Sequence, residues 1–565
     1  MAKVISIGNQ SFESIREKDN FYIDKTNFIR EWWDNDDTVT LITRPRRFGK
    51  TLNMSMLECF FSNKYKDRGD LFEGLEIWND EKYRKLQGTY PVIFLSFAEI
   101  KQNNYNDAVE KIKRIICEVC QQFDFLKNWD GLTEIEKKNI SNISYNMSDV
   151  MAQDLIKNMS NYLSRYYGKK VIILLDEYDT PMQEAYVNGY WEELVAFTRS
   201  LFNSTFKTNP YLERAIMTGI TRVSKESIFS DLNNLKVITV TSDEYSKCFG
   251  FTEDEVFAAL DEQGLSSEKE KVKLWYDGFT FGDEKDVYNP WSIINFLDEK
   301  KYKTYWADSS SNGLVNELIR TGSAEIKKTM ETLIAGGTVE KNIDEQIVFE
   351  QLKTNKDAVW SLLLASGYLR VETFRTEGRL NKKIYSLKLT NYEVEQMFGT
   401  MIERWFGGAD VPYNEFINAM LSGDIESMNE YMNRVTRGVI SYFDTGKTPS
   451  DEEPERFYHG LVLGLMVDQV DNYILSSNRE SGFGRYDIML EPIDKNNEKL
   501  PGIVIEFKVF NQKKEDTLEE TVENALRQIK EKDYDAELIK RGVKEENIYH
   551  YGFAFKGKEV LIDGR

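Results

Sequence analysis

The feature that most limits the fold of this chain is a series of four apolar runs, each separated from the next by a helical pattern. The runs are TVTLIT (38–43), YPVIFLSF (90–97), KKVIILLDEYD (169–179) and ERAIMTGITRV (213–223). Uninterrupted apolar runs are typical of strands that are covered on both faces, as in a parallel sheet. Their alternation with helices predicts a doubly wound α/β domain over residues 1–245.

The rest of the 565-residue chain changes pattern several times, which suits three or four folding units. We expect a helical lid region over 246–340, followed by a winged-helix-like region over 341–410 in which two helices flank a small hairpin. A helical linker is expected over 411–449. Residues 450–565 alternate again between helical and strand patterns and predict a compact α/β unit.

Composition narrows the class of protein. No apolar run approaches the roughly 18 residues that a membrane span requires, and the first residues lack the apolar core of a signal peptide. Four cysteines in so long a chain do not make a disulfide framework. Cys117 and Cys120 lie on a helical pattern and are expected to be packing residues rather than half of a zinc site. We therefore expect a cytoplasmic protein with no membrane association.

The formal net charge of the chain is −21. A strongly acidic protein repels nucleic-acid phosphates at long range. Any binding of nucleic acid would therefore depend on local basic patches or on bridging metal ions.

The segment LITRPRRFGKTLN (41–53) follows the first strand and has most of a phosphate-binding loop, G-x-x-x-x-G-K-[ST]. Gly49, Lys50 and Thr51 occupy the last three required positions, whereas Arg44 stands where the first glycine is expected. The following helix would direct its N–H groups at phosphate, the lysine would reach the β- and γ-phosphates, and the threonine hydroxyl would ligate Mg²⁺. A side chain in place of the first glycine predicts a loop entry of different shape.

Two acids end the third apolar run. Asp176 is placed to hold Mg²⁺ through water, and Glu177 is placed to polarise the attacking water as general base. Thr218, at the end of the fourth run, is placed to sense the γ-phosphate. One strand separates the two motifs along the chain, which suits ATPases with a catalytic glutamate after the Mg²⁺ aspartate. The alternative is that the two acids merely solvate a strand end.

A second group of charged residues lies in GRYDIMLEPIDKNNEKLPGIVIEFKV (484–509). Glu506 and Lys508 are two positions apart on one strand and therefore share a face, and an antiparallel partner strand can bring Asp487 beside them. Two carboxylates and a lysine at one site suit Mg²⁺-dependent phosphodiester cleavage. The acids hold the metal, the metal activates water, and the lysine stabilises charge or orients the nucleophile.

Residues 1 to about 400 resemble the "predicted AAA-ATPase" family of bacteria and archaea, distant relatives of signal-transduction P-loop ATPases. The similarity lies in FYIDKTNFI (21–29), RPRRFGKT (44–51), LLDEYDTPM (174–182), TGITRVSKESIFSDLNNL (218–235), WYDGF (275–279) and VYNPWSI (287–293). The resemblance implies ATP as the bound nucleotide, with hydrolysis. It also makes Arg44 the residue expected in this loop.

Several residue roles stay open on this resemblance. Arg44, Arg46 and Arg47 add charge against the phosphates or hold the loop to nearby acids. Arg222 contacts phosphate or a neighbouring subunit, or forms a plain salt bridge. Asp24 and Lys25 lie near the base or ribose, or are packing residues.

Residues 450–565 resemble the PD-(D/E)XK nuclease superfamily domain that is commonly fused to this ATPase family, with a restriction-endonuclease-like α/β fold. The match rests on the order of a helix bearing Glu455, then GRYD, then IEFK, then a helix with Gln528 and Tyr534. It implies that the two acids and the lysine of GRYD and IEFK are the catalytic set. Glu455 is implied as a further metal ligand and Gln528 as an accessory group.

Together the two predicted sites suggest an ATP-regulated nuclease that uses ATP and Mg²⁺, with DNA favoured over RNA and a homo-oligomer as a further expectation. Residues 451–565 carry 17 Lys and Arg against 25 Asp and Glu, which weakens the expectation of tight nonspecific DNA binding. One alternative is a signalling or scaffold ATPase whose nuclease-like domain only binds a partner. Another is a nucleotide-binding protein that hydrolyses nothing.

Overall fold

The computed structural model describes most of the chain, and contacts between residues divide it into two compact units. The first unit comprises residues 1–314 and 340–394, and the second comprises 315–339 and 395–565. The described residues are 3–221, 229, 232–307, 309, 315, 318–319, 324–334, 336–344, 358–378, 382–406, 413–439, 472–477, 480–481, 484–485, 487–495, 497, 500–511, 514–556 and 559–564. Within them, every helix is too short or too polar to span a bilayer.

The secondary-structure elements are numbered here in chain order. The strands are β1 Val39–Thr43, β2 Val92–Ser96, β3 Val171–Asp176, β4 Leu212–Gly219, β5 Leu235–Ile238, β6 Phe251–Thr252, β7 Phe279–Phe281, β8 Glu284–Tyr288, β9 Val339–Lys341, β10 Leu369–Glu377, β11 Lys382–Leu389, β12 Tyr473–Ser477, β13 Glu480–Ser481, β14 Gly484–Arg485, β15 Ile488–Pro492, β16 Gly502–Val509, β17 Ile548–Lys556 and β18 Glu559–Gly564. The α-helices are α1 Phe12–Glu17, α2 Asn27–Asn35, α3 Lys50–Phe61, α4 Glu81–Arg84, α5 Tyr105–Gln121, α6 Glu134–Ser141, α7 Asp149–Tyr167, α8 Thr180–Asn188, α9 Trp191–Phe202, α10 Glu253–Glu262, α11 Lys269–Tyr276, α12 Pro290–Glu299, α13 Ala324–Ile334, α14 Ala358–Ala365, α15 Tyr392–Phe406, α16 Tyr413–Ser422, α17 Ile425–Val439, α18 Leu518–Glu531 and α19 Asp535–Lys540. Short 3₁₀ segments lie at Asn63–Tyr65, Gly69–Phe72, Glu76–Asn79, Asp124–Asn128, Ser266–Glu268 and Glu545–Asn547, and a π-helical turn lies at Asn203–Lys207.

Five parallel strands form the central sheet of the first unit, in the order β2-β3-β4-β1-β5. β4 lies between β1 and β3, and Thr43 at the end of β1 is paired with Gly219 at the end of β4. The carboxyl ends of these three strands therefore meet at one edge of the sheet. The predicted α/β domain with a parallel sheet is confirmed.

Alternate side chains of this sheet enter two separate cores. Leu41 packs in a core with Ile112 of α5 and Leu155 of α7. The next residue, Ile42, packs in the other core with Leu57 of α3. Because successive side chains of a strand point to opposite faces, an all-apolar strand such as β1 needs helices on both sides.

The middle of the chain is mainly helical. Strands β6, β8 and β7 form a small antiparallel sheet, and α10, α11 and α12 pack together in one core through Val256, Tyr276 and Ile293. Farther along, α14 and α15 flank the antiparallel hairpin of β10 and β11. Two helices around a hairpin were expected here, and the winged-helix-like character of the region and the domain boundaries stay predictions.

The second unit is built on a mixed sheet in the order β12-β15-β16-β17-β18, in which β16 and β17 are parallel and the other pairs are antiparallel. Helix α18 lies on the connection between the two parallel strands. On one face, Ile505 packs with Met420 of α16 and Met432 of α17. On the other face, Val504 packs with Ile529 of α18. The predicted α/β unit at this end of the chain is confirmed.

Candidate functional sites

The loop between β1 and α3 turns twice through the left-handed region. Arg47 has φ 64° and Gly49 has φ 78°. Gly49 is the N-cap of α3, and no side chain of the described residues caps this helix, so its first N–H groups can serve a ligand. Arg44, which replaces the first glycine of the motif, is not among the residues with positive φ. The different shape predicted for the loop entry at Arg44 stays a prediction, and the left-handed residue other than glycine lies three residues farther on, at Arg47.

Lys50 is buried inside this loop. Its Nζ donates to the carbonyl oxygens of Arg44 at 3.0 Å and Pro45 at 2.8 Å. Burial lowers the pKa of Lys50, while the charges of Glu177 and other nearby acids oppose that shift. The ammonium group thus donates to two neutral carbonyl oxygens. Because hydrogen bonds to anionic oxygens are stronger, exchange of these carbonyl acceptors for anionic oxygens is favoured.

Asp176, at the end of β3, is the meeting point of three elements. Its Oδ2 accepts a hydrogen bond from the Thr51 hydroxyl at 2.7 Å, and its Oδ1 accepts one from the Thr218 hydroxyl of β4. Burial raises the pKa of Asp176, and the hydrogen bonds from Thr218 and Thr51 act against that rise. The predicted trio from the P-loop helix, β3 and β4 is therefore brought together in one cluster.

Glu177 follows Asp176 in a left-handed conformation, with φ 51°. A non-glycine residue in this region costs about 1–2 kcal/mol, and such strain is frequent at functional sites. Its Oε2 accepts a hydrogen bond from the hydroxyl of Thr180 at 3.2 Å.

Asp179 is a site residue to which the sequence analysis gave no role. Its Oδ2 accepts hydrogen bonds from the N–H of Ile220 at 3.0 Å and from the N–H and hydroxyl of Thr221, both at 2.9 Å. Burial raises the pKa of Asp179, against these hydrogen bonds. A Cβ on Gly219 would lie 2.6 Å from Oδ1 of Asp179, so this position requires glycine. The available signal was the third acid of LLDEYDTPM.

Asp179 therefore fixes the segment that leaves β4 and leads towards Arg222. Arg222 itself lies outside the described residues, and its role stays a prediction.

The three arginines of the loop differ in environment. Arg44 is fully buried, its Nη1 donates to the carbonyl oxygens of Thr43 at 2.9 Å and Thr239 at 2.7 Å, and burial lowers its pKa to about 10. Arg44 therefore anchors the loop to backbone carbonyls rather than to acids. Arg47 is exposed, and its guanidinium carbon lies 4.5 Å from the centre of the Trp291 ring. Arg46 is exposed on the same loop.

Asp24 and Lys25 are both used in packing contacts within the first unit. Asp24 accepts hydrogen bonds from the N–H of Thr26 at 2.8 Å and of Glu76 at 2.7 Å. Nζ of Lys25 lies 2.7 Å from Oε2 of Glu255. These contacts favour the packing interpretation over a role at the base or ribose.

In the second unit, the antiparallel register of β15 and β16 pairs Ile488 with Ile505. This pairing puts Asp487 opposite Glu506 on the neighbouring strand. The carboxylate of Asp487 accepts a hydrogen bond from the N–H of Phe507 at 2.8 Å. Burial raises the pKa of Asp487, while that hydrogen bond and the charge of Lys508 lower it.

Glu506 and Lys508 lie on the face of β16 that α18 covers. Nζ of Lys508 is 3.9 Å from Oε1 of Glu506 and donates to Oε1 of Gln528 at 2.7 Å. Nε2 of Gln528 in turn donates to Glu506 and, at 3.2 Å, to the hydroxyl of Tyr534. The amide of Gln528 thus joins the lysine and the buried acid. The shared face of Glu506 and Lys508 was expected from the E-x-K spacing, whereas the link through Gln528 was not.

Both sites offer the oxygen donors that Mg²⁺ prefers. In the first unit these are the Thr51 hydroxyl and the Asp176 carboxylate, and in the second they are the carboxylates of Asp487 and Glu506. Among the described side chains, no three His, Cys, Asp or Glu form a metal-binding group. Glu455, predicted as a further ligand, lies outside the described residues.

Comparison with known families finds one matching region in each of the two units. Residues 6–229 match a family described as predicted AAA-ATPase, and residues 453–564 match the PD-(D/E)XK nuclease superfamily. The chain joins a predicted AAA-ATPase domain to a PD-(D/E)XK nuclease superfamily domain. The resemblance noted in the sequence is confirmed. The ATPase match ends before WYDGF and VYNPWSI, so these motifs lie beyond it.

A related protein comes from Azotobacter chroococcum mcd 1, where it is described as an uncharacterized protein in the vnfD 5′ region. It is 25% identical over 396 residues, which is 70% of this chain and 68% of the relative.

Proposed function

We propose that this chain binds and hydrolyses ATP at the edge of its parallel sheet and cleaves nucleic-acid phosphodiester bonds in its second unit, under nucleotide control. The observation that carries the proposal is the meeting of Thr51 and Thr218 on Asp176, beside Lys50. Acids that merely solvate a strand end would be exposed, whereas Asp176 is fully buried. Its burial favours the catalytic interpretation.

At the ATP site, each residue has a distinct task. Lys50 exchanges the carbonyls of Arg44 and Pro45 for oxygens of the β- and γ-phosphates, and N–H groups at the start of α3 donate to the same phosphates. Thr51 and Asp176 are the groups that would hold Mg²⁺, whose charge stabilises the transferred phosphoryl group. Glu177 takes the proton of the attacking water as general base.

The remaining roles at the ATP site are detection of the γ-phosphate and neutralisation of phosphate charge. Thr218 donates at the position of the γ-phosphate, and Arg46 and Arg47 add positive charge at the loop. Release of the γ-phosphate removes the partner of these groups, which is the physical basis of a nucleotide switch.

At the second site, Asp487 and Glu506 would hold Mg²⁺, which neutralises charge on the scissile phosphate and lowers the pKa of water. Lys508 orients the nucleophile or stabilises the developing charge. The amide of Gln528 bonds to both that lysine and Glu506 and holds the two side chains in place relative to each other. We propose DNA as the substrate in preference to RNA, at a metal-dependent local site rather than through a broad basic surface.

Nucleotide control is supported by the path of the chain. Helix α15 begins in the first unit, and its residues from Glu395 belong to the second. Its first turn carries Glu393, which is bonded to a segment beside the P-loop.

A signalling or scaffold ATPase with a binding-only second unit is the competing proposal. The contacts among Glu506, Lys508 and Gln528, and the hydrogen bond that holds Asp487 at the level of Glu506, favour the nuclease, since a site that serves only for binding has no need of them.

The test is a cleavage screen with purified full-length protein, labelled DNA or RNA, Mg²⁺ or Mn²⁺, and ATP present or absent. We expect metal-dependent cleavage that is lost in Lys508→Ala and retained as a basal activity in Lys50→Ala. No cleavage of any substrate, with ATP turnover intact, overturns the nuclease proposal and favours the scaffold.

A further inference from the structure

The carbonyl group of Arg46 is held by two side chains from distant parts of the first unit. Its oxygen accepts hydrogen bonds from Nδ2 of Asn289 at 3.3 Å and from Nε1 of Trp306 at 3.0 Å. Asn289 precedes α12 and Trp306 follows that helix, and both side chains are buried. A P-loop carbonyl is therefore fixed from outside the P-loop.

The two donors are themselves held in place. Oδ1 of Asn289 accepts the N–H of Trp291 at 2.9 Å and caps α12, so its amide presents Nδ2 to the loop. Glu393, fully buried at the start of α15, accepts from the Ser292 hydroxyl at 2.8 Å and from the N–H of Trp306 at 2.5 Å. One carboxylate thus ties together the segments that carry both donors.

The hydrogen bonds from Asn289 and Trp306 restrain the peptide bond between Arg46 and Arg47, which leads into the left-handed turn. The carbonyl of Arg46 and the N–H of Arg47 belong to one planar trans peptide and point in opposite directions. Fixing the oxygen therefore fixes the direction of the Arg47 N–H. It also restrains Arg47 in its left-handed conformation, φ 64°, at a position without the freedom of glycine.

The next residues of the loop are restrained from the same side. The ring of Phe48 packs edge-on against Phe279 at 4.8 Å and Phe281 at 5.3 Å between ring centres. A left-handed residue other than glycine persists only where its surroundings hold it. Here those surroundings are β7, Asn289 before α12 and Trp306 after it.

We propose that Asn289, Trp306 and Glu393 are positioning residues for nucleotide binding, which hold the P-loop in its phosphate-binding shape through the Arg46 carbonyl. The inference rests on the proposed ATP-binding function. It assigns to the segment around α12, which lies beyond the ATPase family match, the task of restraining a left-handed P-loop residue that is not glycine.

The test uses full-length protein and a fluorescent ATP analogue with Mg²⁺. Trp306→Phe keeps an aromatic ring but removes the N–H donor, and we expect roughly tenfold weaker binding. Trp275→Phe is the matched control, because Trp275 packs against Tyr302 and Tyr392 and is expected to leave the affinity unchanged. Asn289→Asp keeps the α12 cap, removes the other donor and serves as a second test if Trp306→Phe does not fold.

The decisive readout is rescue by glycine. Arg47→Gly and Arg47→Ala both remove the guanidinium, but only glycine adopts the left-handed turn without strain. In the Trp306→Phe background we expect the glycine variant to bind several-fold tighter than the alanine variant, with a smaller ratio in otherwise unmodified protein.

Two results overturn the inference alone: unchanged affinity in both donor variants, or equal ratios of the glycine and alanine variants in the two backgrounds. Failure of the unmodified protein to bind the analogue overturns the proposed ATP function and the inference with it.

Discussion

The hydroxyl of Thr51 donates a 2.7 Å hydrogen bond to Oδ2 of Asp176, across a separation of 125 residues in sequence. The pair joins the first turn of the P-loop helix to the end of β3. With Thr218 on the other oxygen, both sides of a buried carboxylate are satisfied by hydroxyl groups. A bound cation would replace these hydroxyl hydrogen bonds with ionic contacts, which links nucleotide binding to the packing of helix α3 and strands β3 and β4.

Replacement of Glu177 by Gln removes the proposed general base but keeps the shape of the side chain. We expect ATP turnover to fall by about 100-fold or more, while the affinity for ATP changes little. Phosphate release and nucleotide binding, measured on the same preparation, check this. Glu192→Gln, at an exposed position of α9, is the control. Unchanged turnover in Glu177→Gln would show that Glu177 is not the general base for hydrolysis.

Replacement of Asp179 by Ala leaves the N–H groups of Ile220 and Thr221 and the hydroxyl of Thr221 without their acceptor. Buried donors that lose their partner destabilise a fold, and we expect a loss of about 2–4 kcal/mol in the free energy of unfolding. Asp179→Asn keeps one acceptor oxygen in a side chain of the same shape and is expected to lose much less. Chemical denaturation of the three proteins tests this, and equal stabilities would contradict the assigned role.

Gln528 links Lys508 to Glu506, so its loss should affect cleavage without removing either group. We expect Gln528→Ala to lower the cleavage rate by about 10- to 100-fold, as is typical for residues that orient metal ligands. Glu523→Gln, exposed on the same helix, is the control. A single-turnover cleavage assay at saturating metal measures the effect. A cleavage rate equal to that of the unmodified protein would show that the amide link is not needed.

Asp277, in the WYDGF motif, gives a prediction for pH. Burial and the neighbouring carboxylate of Asp286 raise its pKa from 3.8 to about 7. Between those values the folded protein retains a proton that the unfolded chain has released, so this group makes stability fall as pH rises from about 4 to about 7.

The Asp277→Asn variant cannot release this proton. Thermal melting at a series of pH values should therefore show a smaller decline for the variant than for the unmodified protein over that interval. Parallel curves for the two proteins would exclude a raised pKa at this position.

Much of the site could be predicted because the relevant chemistry is local. Lys50 and Thr51 follow the first strand after a short loop, Asp176 ends another strand, and Glu506 and Lys508 share a face by simple alternation. Such patterns depend on strand and helix periodicity alone.

What could not be predicted depends on contacts between distant residues. Arg44 donates a hydrogen bond to the carbonyl oxygen of Thr239, which is 195 residues farther along. Asn289 reaches the Arg46 carbonyl across 243 residues. Neither spacing carries a periodic signal, so only the folded arrangement reveals these partners.

The measurement that tests the central claim most directly is the rate of DNA cleavage by full-length protein with Mg²⁺, with and without ATP, in the unmodified and Glu177→Gln forms. We predict that ATP changes the cleavage rate in both forms and that the change persists longer in Glu177→Gln, because that variant keeps its ATP. Equal cleavage rates with and without ATP in both forms would contradict nucleotide control of the nuclease.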